Sequence, residues 1–169
     1  MRALLTYLGL IAASVAFAIP ARAHEPAAPT ARASALGPVT RVAAAVVDAF
    51  HAALAKGDLG GAEALLAEDA LIYESGGVER GKAEYASHHL PADAAFTAAT
   101  TRTVTRRTGH AAGSMAWIAT ESKVTGSFKE RAVDSVSIET MILRREQGAW
   151  RIAHIHWSSA NTKKQALGG

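Results

Sequence analysis

Residues 132–158 read AVDSVSIETMILRREQGAWRIAHIHWS, and this stretch decides the fold. Apolar and polar residues alternate from Ala132 to Arg145 and again from Trp150 to Ser158, which is the period-two pattern of strands with one buried face. Gly148 lies between the two runs, where a hairpin turn is required. The stretch therefore predicts two long antiparallel strands joined by a short turn.

Two further strands are predicted before this hairpin. The segment Thr97 to Thr108 is rich in threonine, which suits a pleated surface, and Ser114 to Val124 alternates in the same way. The glycines of 109–113 and of 126–131 mark the turns between strands. One face of the second strand would carry Met115, Trp117, Ala119 and Glu121.

The first half of the domain has helical spacing instead. The segment Val39 to Lys56 repeats apolar residues every three or four positions, with Thr40 as a plausible N-cap and Gly57 as a stop. The apolar stripe predicted to face the core is Val42, Val46, Ala49, Phe50, Ala53 and Leu54.

Shorter elements follow this helix. Asp58 is suited to cap a second helix reaching about Ala67, with Leu59, Ala62, Leu65 and Leu66 directed inward. A short strand is predicted over 70–74, and a third helix from Gly81 to about Leu90, ended by Pro91. Helices followed by a run of antiparallel strands indicate an α+β domain, with helices on one face of a curved sheet.

Composition excludes several classes of function. The chain has 169 residues and no cysteine, so disulfides, iron–sulfur clusters and thiol nucleophiles are excluded. The net charge of +3 falls to +1 if residues 1–23 are removed, because Arg2 and Arg22 leave without any acidic residue. This is too little positive charge to predict nucleic-acid binding. Arg102, Arg106 and Arg107 are interpreted as a solvated or intersubunit face.

The N-terminal segment has the features of a targeting sequence. Residues 1–23 combine Arg2, an apolar run and the small-x-small site Ala21-Arg22-Ala23, which is typical of a secretory signal peptide. We expect cleavage near Ala23, a periplasmic protein and no membrane span in the mature form. Residues 24–38 are predicted to be a disordered leader, 39–160 the domain, and 161–169 a flexible tail.

The order of short motifs resembles the SnoaL-like, nuclear transport factor 2-like superfamily over residues 39–160. The last strands are similar to the association domain of calmodulin-dependent kinase II and, more distantly, to ketosteroid isomerase. The resemblance implies a cone-shaped fold, with the curved antiparallel sheet wrapped around the long first helix and two shorter helices, a pocket at the wide end and a homodimer. The motifs are Lys56-Gly57-Asp58, Leu66-Ala67-Glu68-Asp69-Ala70, Ile72-Tyr73-Glu74, Gly81, Ser137-Ile138-Glu139-Thr140, Arg144 and the final strand 150–158.

The resemblance to ketosteroid isomerase places Glu74 at the position of the general base. Burial in an apolar pocket would raise the pKa of such a carboxyl and allow proton exchange near neutral pH. The alternative is a structural carboxylate bonded to the glycine-rich turn that follows. Phe50 aligns with the tyrosine that stabilises an oxyanion in that family, and phenylalanine has no hydroxyl with which to do so.

Other candidates also come from the resemblance to the association domain. It directs Glu121 with Trp117, and Glu139 with Ser137, into the pocket, and the alternative for each glutamate is an ion pair with Arg131 or Arg151. Tyr85 corresponds to a pocket histidine and shares a helix face with His89. These two would border the pocket, or one of them would cap the helix or pack under Pro91.

The last strand has two faces, and either one could line the pocket. His154 and His156 project to one side with Trp150 and Ile152, and their spacing is one that metal sites use. The resemblance instead places Ile155 and Trp157 toward the pocket and gives the histidines a structural or interface role.

These observations predict an exported small-molecule-binding domain with no cofactor and an unidentified ligand. The alternatives are an isomerase, dehydratase or hydrolase with Glu74 as base and His89 or Glu139 as acid, or an oligomeric assembly module.

Overall fold

The computed structural model describes residues 36–162. The helices in this range are α1 (Pro38–Lys56), α2 (Leu59–Ala64), α3 (Lys82–His88) and α4 (Leu90–Ala99). The strands are β1 (Leu66–Glu74), β2 (Gly77–Glu79), β3 (Thr100–Ala112), β4 (Met115–Phe128), β5 (Arg131–Glu146) and β6 (Ala149–Asn161). The predicted signal peptide, most of the leader and the tail from residue 163 lie outside the described residues.

The strands form one curved sheet in the order β2-β1-β6-β5-β4-β3. Neighbouring strands are antiparallel except β1 and β6, which run parallel. The chain between these two strands contains β2, helices α3 and α4 and strands β3 to β5. The predicted α+β class is confirmed. The sheet adds the short strand β2, and the described residues contain one more helix than predicted.

Helix α1 packs its apolar face against the sheet and α4. Val47 and Phe50 are completely buried, and Leu54 nearly so. Each large side chain buried in this way contributes about 2 kcal/mol. Val42 is 57% exposed and Ala49 is also exposed, so the predicted stripe was wrong at these two positions. Alanines on both sides of the helix left its buried face ambiguous, and Ala43 and Ala44 face the core instead.

The ends of α1 follow its backbone chemistry. Gly57 ends the helix in the left-handed conformation with φ 70°, as predicted. The helix begins earlier than predicted, after Gly37, because Pro38 already has the φ that a first helical residue requires. Thr40 therefore lies inside the first turn and is buried. In the described residues α1 also has the length and apolar character of a membrane span, which core helices share.

Pro91 starts a helix instead of ending one. It lies in the first turn of α4, where its missing N–H removes no intrahelical bond. Residues 97–99, predicted to open a strand, complete this helix, since the alanines at 98 and 99 suit a helix better than a sheet. β3 therefore begins at Thr100. Leu59, predicted to point inward from α2, is 37% exposed.

Strands β4 and β6 differ from the prediction in which side chains face the core. In β4 the inward face carries Ala116, Ile118 and Thr120, all buried, so Trp117 and Glu121 point outward. In β6 a register shift opposite Ile142 and Leu143 inserts one residue, so that Trp150 and Ile152 before it and Ile155 after it are all buried. A simple alternation cannot describe β6.

Candidate functional site

A cavity of about 380 Å³ lies between α1, α4 and the concave face of the sheet. Aromatic and aliphatic side chains form part of its wall, and charged groups and hydroxyls form the rest. Its lining consists of His51, Leu54, Glu74, Ala92, Asp93, Phe96, Thr97, Thr100, Arg102, Val124, Phe128, Ser135, Ser137, Trp157, Ser158 and Ser159. We call it the main cavity.

A buried charge cluster supports one wall of the main cavity. Glu139 on β5 is 2% exposed, and its Oε2 lies 2.6 Å from Nε2 of His51 on α1. The indole N–H of Trp157 donates to the same oxygen at 2.8 Å. Arg102 on β3 reaches Oε1 at 3.4 Å. Three elements thus supply partners for a carboxylate that would otherwise be costly to bury.

The partners determine the ionisation of Glu139. Burial by itself would raise the pKa of this carboxyl, but the hydrogen bonds from His51 and Trp157 and the charges of His51 and Arg102 outweigh it and lower the pKa. Burial lowers the pKa of Arg102, although the charge of Glu139 opposes this. Glu139 is therefore an ionised group that orients His51 and Trp157. It is unsuited to the predicted role of proton-donating acid.

A second pair of carboxyls, Glu74 and Asp93, borders the same cavity. Glu74 ends β1 at the mouth of the cavity, and burial together with the charge of Asp93 raises its pKa. Burial also raises the pKa of Asp93 on α4, against the opposing hydrogen bond from Tyr85. That bond runs from the phenol oxygen to Oδ2 at 2.7 Å. The main cavity thus contains carboxyls of raised pKa together with the strongly ionised group Glu139.

A smaller cavity of about 180 Å³ adjoins Glu74. Its lining includes Glu79, Tyr85 and His89. His89 shares a hydrogen bond between its Nδ1 and Oε1 of Glu79, and burial together with Asp93 raises the pKa of the Tyr85 phenol. The proposed catalytic set of Glu74, His89 and Glu139 is therefore divided: Glu74 borders both cavities, His89 only the smaller one, and Glu139 lies behind the wall of the main one.

Several predicted pocket residues lie elsewhere. Trp117 and Glu121 are wrong as pocket residues, because they are on the outer face of β4, where Glu121 pairs with Arg106 at 3.4 Å. Phe50 and Ile155 are completely buried in the core and border neither cavity. Phe50 instead supports the site from behind, since its ring stacks on Trp157 at 6.4 Å.

The remaining predicted site residues lie in three different places. Ser137 and Trp157 line the main cavity, and Tyr85 only the smaller one. His154 and His156 lie beside Tyr73 on the side of the sheet away from the cavities, and Nδ1 of His154 is bonded to the carbonyl of Leu71 at 2.7 Å. Within residues 36–162 the cluster with metal-ligand spacing is a different one and does not include them.

Three important residues were missed in the sequence: His51, Asp93 and Arg102. Asp93 carried a usable signal, because it is the one charged residue in the apolar segment 90–99. His51 sits at the edge of the buried stripe of α1, one residue after Phe50. Arg102 had been assigned to an outer face with its neighbours, but only Arg106 lies there, since Arg107 pairs with Asp48 at 2.7 Å.

Comparison with solved structures supports this architecture. A candidate ketosteroid isomerase from Shewanella frigidimarina is 38% identical, with a TM-score of 0.68 over 73% of this chain and 100% of the other. A candidate calcium/calmodulin-dependent protein kinase II association domain from Xanthomonas campestris is 22% identical, with a TM-score of 0.64 over 78% and 94%. A candidate dehydratase of the nuclear transport factor 2-like family from Streptomyces avermitilis is 18% identical, with a TM-score of 0.60 over 72% and 96%.

The last two likenesses concern the fold alone. No curated protein matches the chain. The family description "SnoaL-like domain" matches residues 43–162. These residues extend from the second turn of α1 to the end of β6, and they include the lining of both cavities. The resemblance predicted from the motif order is confirmed, and the chain belongs to the SnoaL-like domain family.

Proposed function

We propose that this protein binds a small amphipathic organic molecule in the main cavity. The observation that carries the proposal is the division of its wall into apolar and polar parts. Leu54, Phe96 and Phe128 provide apolar surface, while Arg102 offers a cation to a ligand oxygen. A volume of about 380 Å³ falls in the range of small-molecule sites, which is roughly 300–1,000 Å³.

The polar groups give such a ligand a defined orientation. Ser137 on β5 pairs with Ser159 on β6, and Ser135 and Ser158 also line the cavity, so hydroxyl groups contribute to its polar wall. Carboxyls of raised pKa border the mouth. A neutral carbonyl or hydroxyl compound with a hydrocarbon body suits this combination, because it needs few but well-placed hydrogen bonds. The description of the Shewanella relative as a candidate ketosteroid isomerase supports the same class of ligand.

The binding proposal is tested by filling the cavity. The fluorescent probe 8-anilinonaphthalene-1-sulfonate has an aromatic body and one anionic group, which suit the apolar wall and Arg102. We expect saturable binding by the wild type, and at least a tenfold loss in Ser137→Trp, whose indole would occupy the cavity. Ser114→Trp, in the exposed β3–β4 turn, is the matched control. Equal binding by all three proteins contradicts the proposal.

A second candidate function is acid–base catalysis in the same cavity. It is favoured by Glu74 and Asp93, which share the cavity wall and both have a raised pKa, as general acids and bases require. His51 adds an imidazole held by Glu139. The reaction class is an isomerisation or a dehydration in which Glu74, as the base, abstracts a proton from a carbon atom of the substrate.

The matching experiment uses 5-androstene-3,17-dione and follows the absorbance of the conjugated enone. Turnover by the wild type with a loss of about a hundredfold or more in Glu74→Gln supports catalysis. If the wild type binds this steroid but does not convert it, the binding proposal stands and this isomerisation is contradicted. Phe50 supplies no hydroxyl for the enolate, so Arg102 or a protonated Asp93 would have to stabilise that oxygen.

We further propose that the outer sheet face mediates self-association. Met115, Trp117 and Ile138 are 46%, 42% and 55% exposed on this face, and exposed large apolar groups can mark an interaction surface. The likeness to association domains supports this proposal. Export to the periplasm is likewise proposed, on the signal-peptide pattern of residues 1–23.

A further inference from the structure

A separate polar cluster lies where β2 meets α3. Glu79 is the last residue of β2, and Glu84 and His88 are four residues apart on α3, so they share a face of that helix. Ligand atoms of these three side chains all lie within 4.8 Å of one another. Small rotations of Glu84 and His88 would bring them to the spacing of about 3.4 Å that ligands of one ion have.

Glu79 is the residue that indicates a ligand. It is 5% exposed, and among residues 36–162 no group donates a hydrogen bond to its Oε2. That oxygen points into the cluster, 3.8 Å from Nδ1 of His88. A buried carboxylate oxygen without a partner destabilises the fold, because it has lost its hydration and gained no hydrogen bond. A cation between Glu79, Glu84 and His88 would remove this cost.

The neighbouring residues already orient both carboxylates. His89 holds Oε1 of Glu79 through its Nδ1, which leaves Oε2 directed at the cluster. The backbone N–H of Arg80 donates to Oε2 of Glu84 at 2.6 Å, which leaves the other oxygen of Glu84 available. Bonds of this kind fix the orientation of metal ligands and strengthen binding in known sites.

We propose that Glu79, Glu84 and His88 bind a divalent transition-metal ion of the zinc type. One imidazole nitrogen and two carboxylate oxygens are ligands that such ions accept, whereas calcium and magnesium prefer oxygen alone. Three protein ligands leave a fourth position to water or another small ligand. The site borders the smaller cavity, because Glu79 also lines that space.

Titration calorimetry with zinc chloride tests the site on the untagged, chelator-treated chain. We expect one zinc ion per chain, with binding at least tenfold weaker in both His88→Asn and Glu84→Gln. Both replacements are at partly exposed positions, so the fold should persist even if Glu79→Gln is unstable. His110→Asn, at an exposed histidine of β3, is the matched control and should bind as the wild type does.

Three outcomes overturn the proposal. The first is no stoichiometric zinc binding by the wild type. The second is an equal affinity in His88→Asn, Glu84→Gln and the His110→Asn control, which would place the ion elsewhere. The third is calcium or magnesium binding as tight as zinc at the same residues, which would contradict the assigned class of ion.

Discussion

Nε2 of His51 on α1 and Oε2 of Glu139 on β5 meet at 2.6 Å, although 88 residues separate them in the chain. The contact joins the central helix to the middle of the sheet directly behind the main cavity. Because Trp157 donates to the same oxygen, the position of an aromatic cavity wall depends on this contact. The pair therefore connects the stability of the fold with the shape of the site.

Replacing Glu139 by glutamine should destabilise the fold. The amide lacks the charge that compensates His51 and Arg102, and breaking a buried pair costs about 3 kcal/mol. Urea unfolding measures the change. Glu121→Gln is the control, since Glu121 is exposed and its pair with Arg106 should be worth less than about 1 kcal/mol. Similar losses in the two variants would contradict the assigned importance of the buried cluster.

Glu139 should also make the free energy of unfolding depend on pH in the acidic range. Its pKa is lowered by folding, so its stabilisation is complete above the pKa of the unfolded chain and is lost as pH falls through the folded value. The free energy of unfolding of the wild type should therefore decrease more steeply on acidification than that of Glu139→Gln. Parallel pH curves for the two proteins would show that Glu139 is not the group responsible.

Asp93 should behave in the opposite way. Its pKa is raised by folding, so the wild type loses stability as pH rises from the unfolded value through the folded one. Asp93→Asn carries no charge and retains an oxygen for the Tyr85 hydroxyl. Its stability relative to the wild type should improve as pH rises through that window. Thermal unfolding at several pH values measures this, and a constant difference would contradict it.

Gly109 tests the packing of β3 beneath α1. A Cβ there would lie 2.7 Å from both Cδ1 of Ile118 and the carbonyl oxygen of Trp117. Gly109→Ala should therefore cost about 1–3 kcal/mol, because the atoms it meets are in the packed core. Gly60→Ala is the control: it meets nothing within 4 Å and lies in a helix, where alanine is favoured over glycine. Urea unfolding of both variants distinguishes them.

The outer sheet face should control association. Ile138→Asp replaces an exposed apolar residue of this face by a charged one and should shift the protein toward monomer in light scattering coupled to size-exclusion chromatography. Val42→Asp is matched in exposure, at 57% against 55%, but lies on α1. It should leave the mass unchanged. A monomeric wild type would remove the proposal.

The fold was predictable because its main elements have distinct periods and clear glycine boundaries. Gly57, Asp58 and Gly148 mark ends that the structure keeps, with Asp58 accepting from the N–H of Gly61 at 2.8 Å. Alanine-rich segments were less informative, since α4 and the face of α1 satisfy more than one pattern. Pro91 is compatible both with the end of one helix and with the first turn of the next, and the local pattern does not distinguish the two.

The site was only partly predictable. Glu74, Ser137 and Trp157 do border the main cavity, but the parity of β4 and the extra residue in β6 decide which side chains face inward. A shift of one residue moves all the following side chains of a strand to the opposite face of the sheet. The partners of Glu139 come from α1, β3 and β6, so they are visible only when those elements are placed together.

The indole signals of the three tryptophans provide the most direct test of ligand binding in the main cavity. Trp157 lines it, Trp117 lies on the outer sheet face, and Trp150 is buried beside Arg145. In nitrogen–proton NMR spectra, 8-anilinonaphthalene-1-sulfonate should shift the Trp157 indole signal and leave the other two in place, with Trp117→Phe confirming the assignment. A shift confined to Trp117, or none at saturating probe, would contradict binding in this cavity.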